Sequence, residues 1–199
     1  VDGSAETIFA AHERDWGALV THIPPAPDLV SPMGKVGGVL TGLRFAQHER
    51  VIIADDDVRY DERSLAQVSD ALATADVVRP QNYFQPFPWH ARWDTSRMLL
   101  PRIPGGTRPG PLSVRRSVLE ATRGYDGSVM FENLELVRTV LAAGGRESVL
   151  RGAYVLRRPS TTRHFIGQRV RQAYDEIARP ARFAVQLAIL PLVVALAIT

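Results

Sequence analysis

Hydrophobic and polar positions along the chain fall into two periods, and their alternation predicts an α/β fold. Val51-Ile52-Ile53-Ala54 is a continuous apolar run, rich in β-branched residues, that stops at Asp55-Asp56-Asp57. Such a run reads as a buried, central strand of a parallel sheet. Upstream, Ala5 to Asp15 has helical spacing with Ser4 placed to cap it. Ala18 to Ile23 reads as a short strand, and Pro24-Pro25-Ala26-Pro27 as a loop. Gly34 to Ala46 reads as a glycine-rich helix delivered to the Val51 strand. Downstream, Asp61 is placed to cap a helix, Leu65 to Ala75 is helical, and Asp76 to Arg79 is a strand. Glu132 to Ala143 is a helix closed by Gly144-Gly145, with a strand from about Ser148 to Leu156. Strand and helix in regular succession predict a doubly wound sheet. The proline- and glycine-rich stretch Ile103 to Pro111 predicts a loop over the site. Phe9-Ala-Ala-His-Glu-Arg14 and Phe45-Ala-Gln-His-Glu-Arg50, 36 residues apart, read as two helix ends in successive β-α units.

Three adjacent carboxylates at the carboxyl end of a strand change this from a fold statement into a chemical one. Ligands of open α/β sheets bind at that edge, and mutually repelling carboxylates are tolerated where a cation neutralises them. In extended chain Asp55 and Asp57 project to one side and can share a hard divalent ion, while Asp56 points away.

Composition narrows the classes. At 199 residues with 45% hydrophobic and 23% charged residues, the chain is long enough for one sizeable core. It has no cysteine, which excludes disulfides and thiolate metal sites. Its five histidines, His12, His22, His48, His90 and His164, show no His-Glu-x-x-His pair and predict no zinc site. Trp89, Trp93 and His90 read as core or membrane-interface packing.

Between Arg157 and Arg182 seven arginines face Asp175 and Glu176, a local +5 within a formal net charge of +3. Nucleic-acid binding is the competing reading of that basic segment, but aromatic interleaving is thin and no recognition motif accompanies it; no nucleic-acid partner is expected. The segment precedes an uncharged run, Phe183 to Ile198. That run reads either as a buried core helix or, preferably, as a truncated transmembrane helix, with the arginines placing the preceding domain on the cytoplasmic side of the cell membrane. The expected division is therefore 1–156 as the catalytic domain, apparently without its first β-α unit, 157–182 as a basic interface segment, and 183–199 as the membrane helix.

In this order the motifs resemble those of the family-2 glycosyltransferases. The resemblance rests on Asp2-Gly3-Ser4, Gly34-Lys35, Asp55-x-Asp57, Gly110-Pro-Leu-Ser-Val-Arg-Arg116, Gly124-Tyr-Asp-Gly127, Glu132-Asn133, and Gln168-Arg-Val-Arg171-Gln172. It covers nearly the whole chain. It implies a GT-A type fold, a Rossmann-like, mostly parallel sheet flanked by helices, with a C-terminal membrane-associated helix. It also implies an inverting transfer of sugar from a nucleotide-diphosphate sugar to a lipid or polysaccharide acceptor. By the same resemblance Asp57 and Asp55 bind Mg²⁺ or Mn²⁺. Asp2, Gly3, Lys35, Asp55, Gln168 and Arg171 hold the nucleotide sugar.

Two positions depart from the family pattern. The family's Glu-Asp pair stands here as Glu132-Asn133, and an amide cannot take a proton, so the base passes to Glu132 or Glu135. A phosphate acceptor, already an anion, needs none. The tryptophan expected after Arg171 is Gln172.

Other readings stay open. Lys35, the only lysine, fits equally a phosphate, a nearby carboxylate or an exposed helix start. Gln168 and Arg171 also suit a solvated amphipathic helix on a membrane surface. A membrane-anchored scaffold without catalysis would keep the same motifs. An aspartyl-nucleophile phosphohydrolase shares the strand ending in Asp-x-Asp, but its phosphate-holding cation lies downstream of that strand, and here the lone lysine lies upstream.

Overall fold

The computed structural model describes residues 1–99, 110–129 and 131–177, with 184, 187, 188 and 191. Seven α-helices and five strands are described: α1 (Glu6–Trp16), α2 (Gly34–Phe45), β1 (Arg50–Ile53), β2 (Val58–Arg59), α3 (Glu62–Ala71), β3 (Val77–Phe84), α4 (Trp89–Leu99), β4 (Leu112–Arg115), α5 (Arg116–Ala121), α6 (Glu132–Ala142), β5 (Glu147–Arg157) and α7 (Thr162–Ile177). The chain forms two units, Val1–Pro159 and Ser160–Thr199.

The sheet in the first unit has the order β1-β4-β3-β5-β2. Only β3 and β5 run parallel; β1–β4, β3–β4 and β2–β5 are antiparallel. This overturns the expected Rossmann-like, mostly parallel sheet of GT-A type. The reason is that burial on both faces, which the apolar runs do report, is indifferent to strand direction. All of Leu112, Ser113 and Val114 are fully buried, as a central strand requires, yet β4 runs against both neighbours. β1, expected to be central, is the sheet's edge among the described strands, and its residues are half-buried or exposed.

Helices do cover both faces. Val77 faces a cluster containing Leu43 of α2, Leu119 of α5 and Leu136, Val137 and Val140 of α6. Val78, the next residue, faces Val68, Leu72 and Ala75 on the α3 side. The period of two divides β1 in the same way, with Val51 and Ile53 on the first cluster and Ile52 on the second.

Local chemistry accounts for most element ends, and for the places where expectation fails. Asp61 caps α3 through a capping box: Ser64 N–H donates to Asp61 Oδ1 at 2.7 Å, and Asp61 N–H donates to Ser64 Oγ at 3.0 Å. Ser4 does not cap α1, whose N-cap is Ala5; its N–H donates to Asp2 Oδ1 at 2.8 Å instead. Residues 18–23 are irregular rather than a strand. Of the two similar hexapeptides the first lies inside α1, and most of the second follows α2, so they are not equivalent helix ends. β3 runs past Arg79 through Pro80, and the register against β5 shifts between Pro80 and Gln81, as a residue without an N–H donor demands.

Among the described residues no helix is long and apolar enough to cross a membrane. The longest, α7, has 16 residues and carries Arg163, Arg169 and Arg171, which a bilayer core opposes. The transmembrane helix expected over 183–199 therefore finds no support among the described residues. The run from Phe183 to Ile198 lies almost entirely outside the described residues, as does most of the loop from Ile103 to Pro111. Trp89 and Trp93 are exposed on α4, while His90 is buried, so His90 follows the core-packing reading and the two tryptophans do not.

Candidate functional site

Two helix N-termini and two strand ends converge on Asp55. β1 ends at Ile53, and the chain turns through Asp55-Asp56-Asp57, closed by Val58 N–H donating to Asp55 C=O at 3.1 Å. It then enters β2, where Val58 pairs with Arg157 of β5, and Arg158 N–H donates to Asp57 C=O at 2.8 Å. That ladder brings Arg157 to the acidic turn. Its Nε donates to Asp57 Oδ2 at 2.7 Å, and its Nη2 lies 3.6 Å from Asp55 Oδ2. Asp56 is exposed while Asp55 and Asp57 are half-buried, the division that alternation predicts.

Lys35 enters from the first turn of α2. Its Nζ lies 2.6 Å from Asp55 Oδ1 and 2.9 Å from Glu132 Oε1, and it donates to Asn133 Oδ1 at 3.0 Å. Glu132 and Asn133 open α6, where the helix dipole favours an acid. The Asn133 amide in turn donates to Gly110 C=O at 3.1 Å, just ahead of β4.

A close approach fixes the start of α2. Met33 N–H donates to Gly127 C=O at 3.0 Å, and a Cβ on residue 127 would fall 1.8 Å from Ser31 Oγ and 3.2 Å from Val36 Cβ. Neither α2 nor α6 has a side-chain cap.

The charges do not balance. Asp55, Asp57 and Glu132 contribute three negative charges, Lys35 and Arg157 two positive, leaving −1. Asp57 Oδ1 is buried with no hydrogen-bond partner among the described residues, and such an atom is costly unless something else meets it. Two carboxylates and a net negative charge suit a hard divalent cation such as Mg²⁺ or Mn²⁺. The nearby phenols are not bases. Burial pushes Tyr60 up to about 12, with the Asp55 charge adding to it; burial also raises Tyr125, with Glu132 adding.

Thus Lys35, Asp55, Asp57 and Glu132, all named from the sequence, are brought together. Glu135 lies one turn along α6, 3.9 Å from Arg138, and makes no described contact with this group. Arg157 was missed. As the first residue of the basic stretch it reads as surface charge, although it ends an apolar strand and faces the acidic turn, and that placement was its one signal. Gln168 and Arg171 lie on α7 in the second unit, where Gln168 Nε2 is 2.9 Å from His164 Nε2.

Asp2 belongs to a separate cluster. Its Oδ2 lies 2.7 Å from His12 Nδ1 and 3.0 Å from His22 Nε2, and Gly3 sits beside Pro25. Hydrogen bonds from Ser4, then His12, hold the Asp2 carboxyl well below the usual carboxylate range. Asp2, then Glu13, raises His22. Scattered in sequence, these histidines gave no hint of meeting.

No family model and no curated protein matches the chain. Among solved structures it is similar to one described as a mycobacterial protein, at 13% identity over 73% of this chain and 49% of that one, with a TM-score of 0.40. The chain spans about half the length of that protein.

Proposed function

We propose that the cluster around Asp55 is the donor site of a metal-dependent inverting glycosyltransferase that uses a nucleotide-diphosphate sugar. The observation that carries this reading is the buried, unpartnered Oδ1 of Asp57 beside Asp55, in a group with a net charge of −1. Asp57 and Asp55 are the residues that would hold Mg²⁺ or Mn²⁺, and when bound the ion offsets negative charge growing on the departing diphosphate.

The chain's own residues supply the rest. Lys35 and Arg157 are cations within reach of an anion at this corner, Arg157 with a planar fork suited to phosphate. The uncapped starts of α2 and α6 add backbone N–H groups that favour the same charge. In the reaction the bond from the anomeric carbon to the diphosphate oxygen breaks, and its electron pair leaves with the diphosphate. The acceptor oxygen bonds to the opposite face of that carbon, which inverts it. For a hydroxyl acceptor of a lipid or glycan, Glu132 takes the proton; a phosphate acceptor attacks as the anion. Asn133 acts by position, holding Lys35 and the Gly110 backbone.

A second reading draws on the Lys35–Asp55 contact of 2.6 Å, which gives an aspartyl nucleophile the cation that sequence order denies it. The readings separate by substrate. The donor-site reading expects calorimetric binding of one nucleotide class, UDP or GDP, only with Mn²⁺, and lost in Asp57→Ala. Hydrolysis of p-nitrophenyl phosphate, abolished by Asp55→Asn and without nucleotide binding, would replace it with the phosphohydrolase.

A further inference from the structure

Outside that corner, three side chains separated in sequence converge, and the function above makes use of none of them. Asp2, His12 and His22 each offer one donor atom, and the three lie within 4.8 Å of one another. The two contacts to Asp2 are 2.7 and 3.0 Å. Around a tetrahedral zinc ion with bonds near 2.0–2.1 Å, ligand atoms stand about 3.3 Å apart. An ion enters when the two contacts to Asp2 open by about 0.3–0.6 Å and the two histidine nitrogens, within 4.8 Å of each other, settle to the same spacing.

We propose that Asp2, His12 and His22 form a binding site for a borderline divalent cation of the Zn²⁺ class, distinct from the Asp55–Asp57 pair. Two imidazoles and one carboxylate are the donors such an ion prefers, whereas Mg²⁺ favours oxygen alone.

A second feature points the same way. The other nitrogen of His22, Nδ1, lies 2.6 Å from Glu13 Oε2. A carboxylate on the far nitrogen of a histidine orients the ring and directs the lone pair of the near nitrogen at the metal. The His22 side chain is only 5% exposed, so the ring is fixed rather than wandering in solvent.

Aromatic neighbours complete the frame. Phe9 stacks on His22 with centroids 4.2 Å apart, and Trp16 stacks on His12 at 4.3 Å. Phe9, His12, Glu13 and Trp16 share one face of α1. Three protein ligands leave one position open, for water or for an oxygen or nitrogen of a small ligand.

The test uses tag-free, chelator-treated protein titrated with Co²⁺ as a spectroscopic substitute, then with Zn²⁺ in competition. The expected result is one equivalent of tetrahedral Co²⁺, with its visible bands displaced by Zn²⁺. His12→Ala and His22→Ala should each abolish the bands. Glu13→Gln, which leaves all three ligands in place, should weaken binding by about 10- to 100-fold. Asp57→Asn should leave it unchanged, which separates this site from the donor site whatever that site proves to bind. No tetrahedral Co²⁺ signal would overturn the proposal and leave Asp2, His22 and Glu13 as an ion triad. So would a signal indifferent to His12→Ala and Glu13→Gln, a comparison that stands even where His22→Ala fails to fold.

Discussion

Lys35 is the residue on which the first cluster closes, since its ammonium alone spans Asp55, Glu132 and Asn133. Lys35→Met should therefore do two things at once. It removes the charge that holds Asp55 and Glu132 together, and among the described residues it leaves Asn133 bonded to Gly110 alone. The expected outcome is a fall in melting temperature of several degrees, from the loss of roughly 1–3 kcal/mol as these groups lose their partner, together with loss of nucleotide binding. Glu132→Gln is the complement: donor binding should persist and transfer to a hydroxyl acceptor should drop by about 100-fold or more, measured in single-turnover assays. Unaltered transfer to the hydroxyl acceptor would remove Glu132 as the base, whereas transfer to a phosphate acceptor, which attacks as the anion, should be indifferent to the substitution. Asp55, Asp57 and Lys35 were legible as one group because their types and order mark them, and the structure brings them together. Arg157 was not, because its role comes from the β2–β5 ladder that lays it against Asp57, and a ladder between strands about a hundred residues apart leaves no trace in local pattern. The same holds for His12, on α1, and His22, in the irregular stretch that follows, which meet at Asp2 through a turn that has no period.

Elements were legible as far as their termini carry chemistry. Asp61 was read as a cap and is one, because a short side-chain acceptor before a helix does a local job. The side-chain hydrogen bond with Ser64 is the largest cause holding Asp61 below its ordinary pKa. A carboxyl depressed by folding contributes stability above its unfolded value, about 3.9, and loses it as pH falls through the lower folded value. Asn caps as well but does not titrate. The melting temperatures of wild type and Asp61→Asn should thus differ by a constant near neutral pH, and the wild-type advantage should shrink below about pH 4. Strand direction was not legible. β4 inserts antiparallel between β1 and β3 with the same apolar signature a parallel strand would show. Its packing can still be probed: Leu136, fully buried against it from α6, should cost about 2–5 kcal/mol as Leu136→Ala in chemical denaturation, far more than exposed Leu65.

At the scale of the molecule, the sheet positions the chemistry by bringing ends together. β1 delivers the acidic turn, β5 delivers Arg157, and α2 and α6 point their N-termini at the same corner, while the two clusters around Val77 and Val78 hold those elements in layers. Nothing in this arrangement requires the parallel sheet first expected; it requires only that these four ends meet. The measurement that tests the account most directly is calorimetric titration of the protein with UDP- and GDP-sugars, with and without Mn²⁺, repeated on Asp57→Asn. A donor site at Asp55 and Asp57 should give saturable binding of one nucleotide class that needs the metal and weakens more than about tenfold in the variant, with the fold intact by circular dichroism. Binding of no nucleotide sugar, or binding that ignores both Mn²⁺ and Asp57, would contradict it.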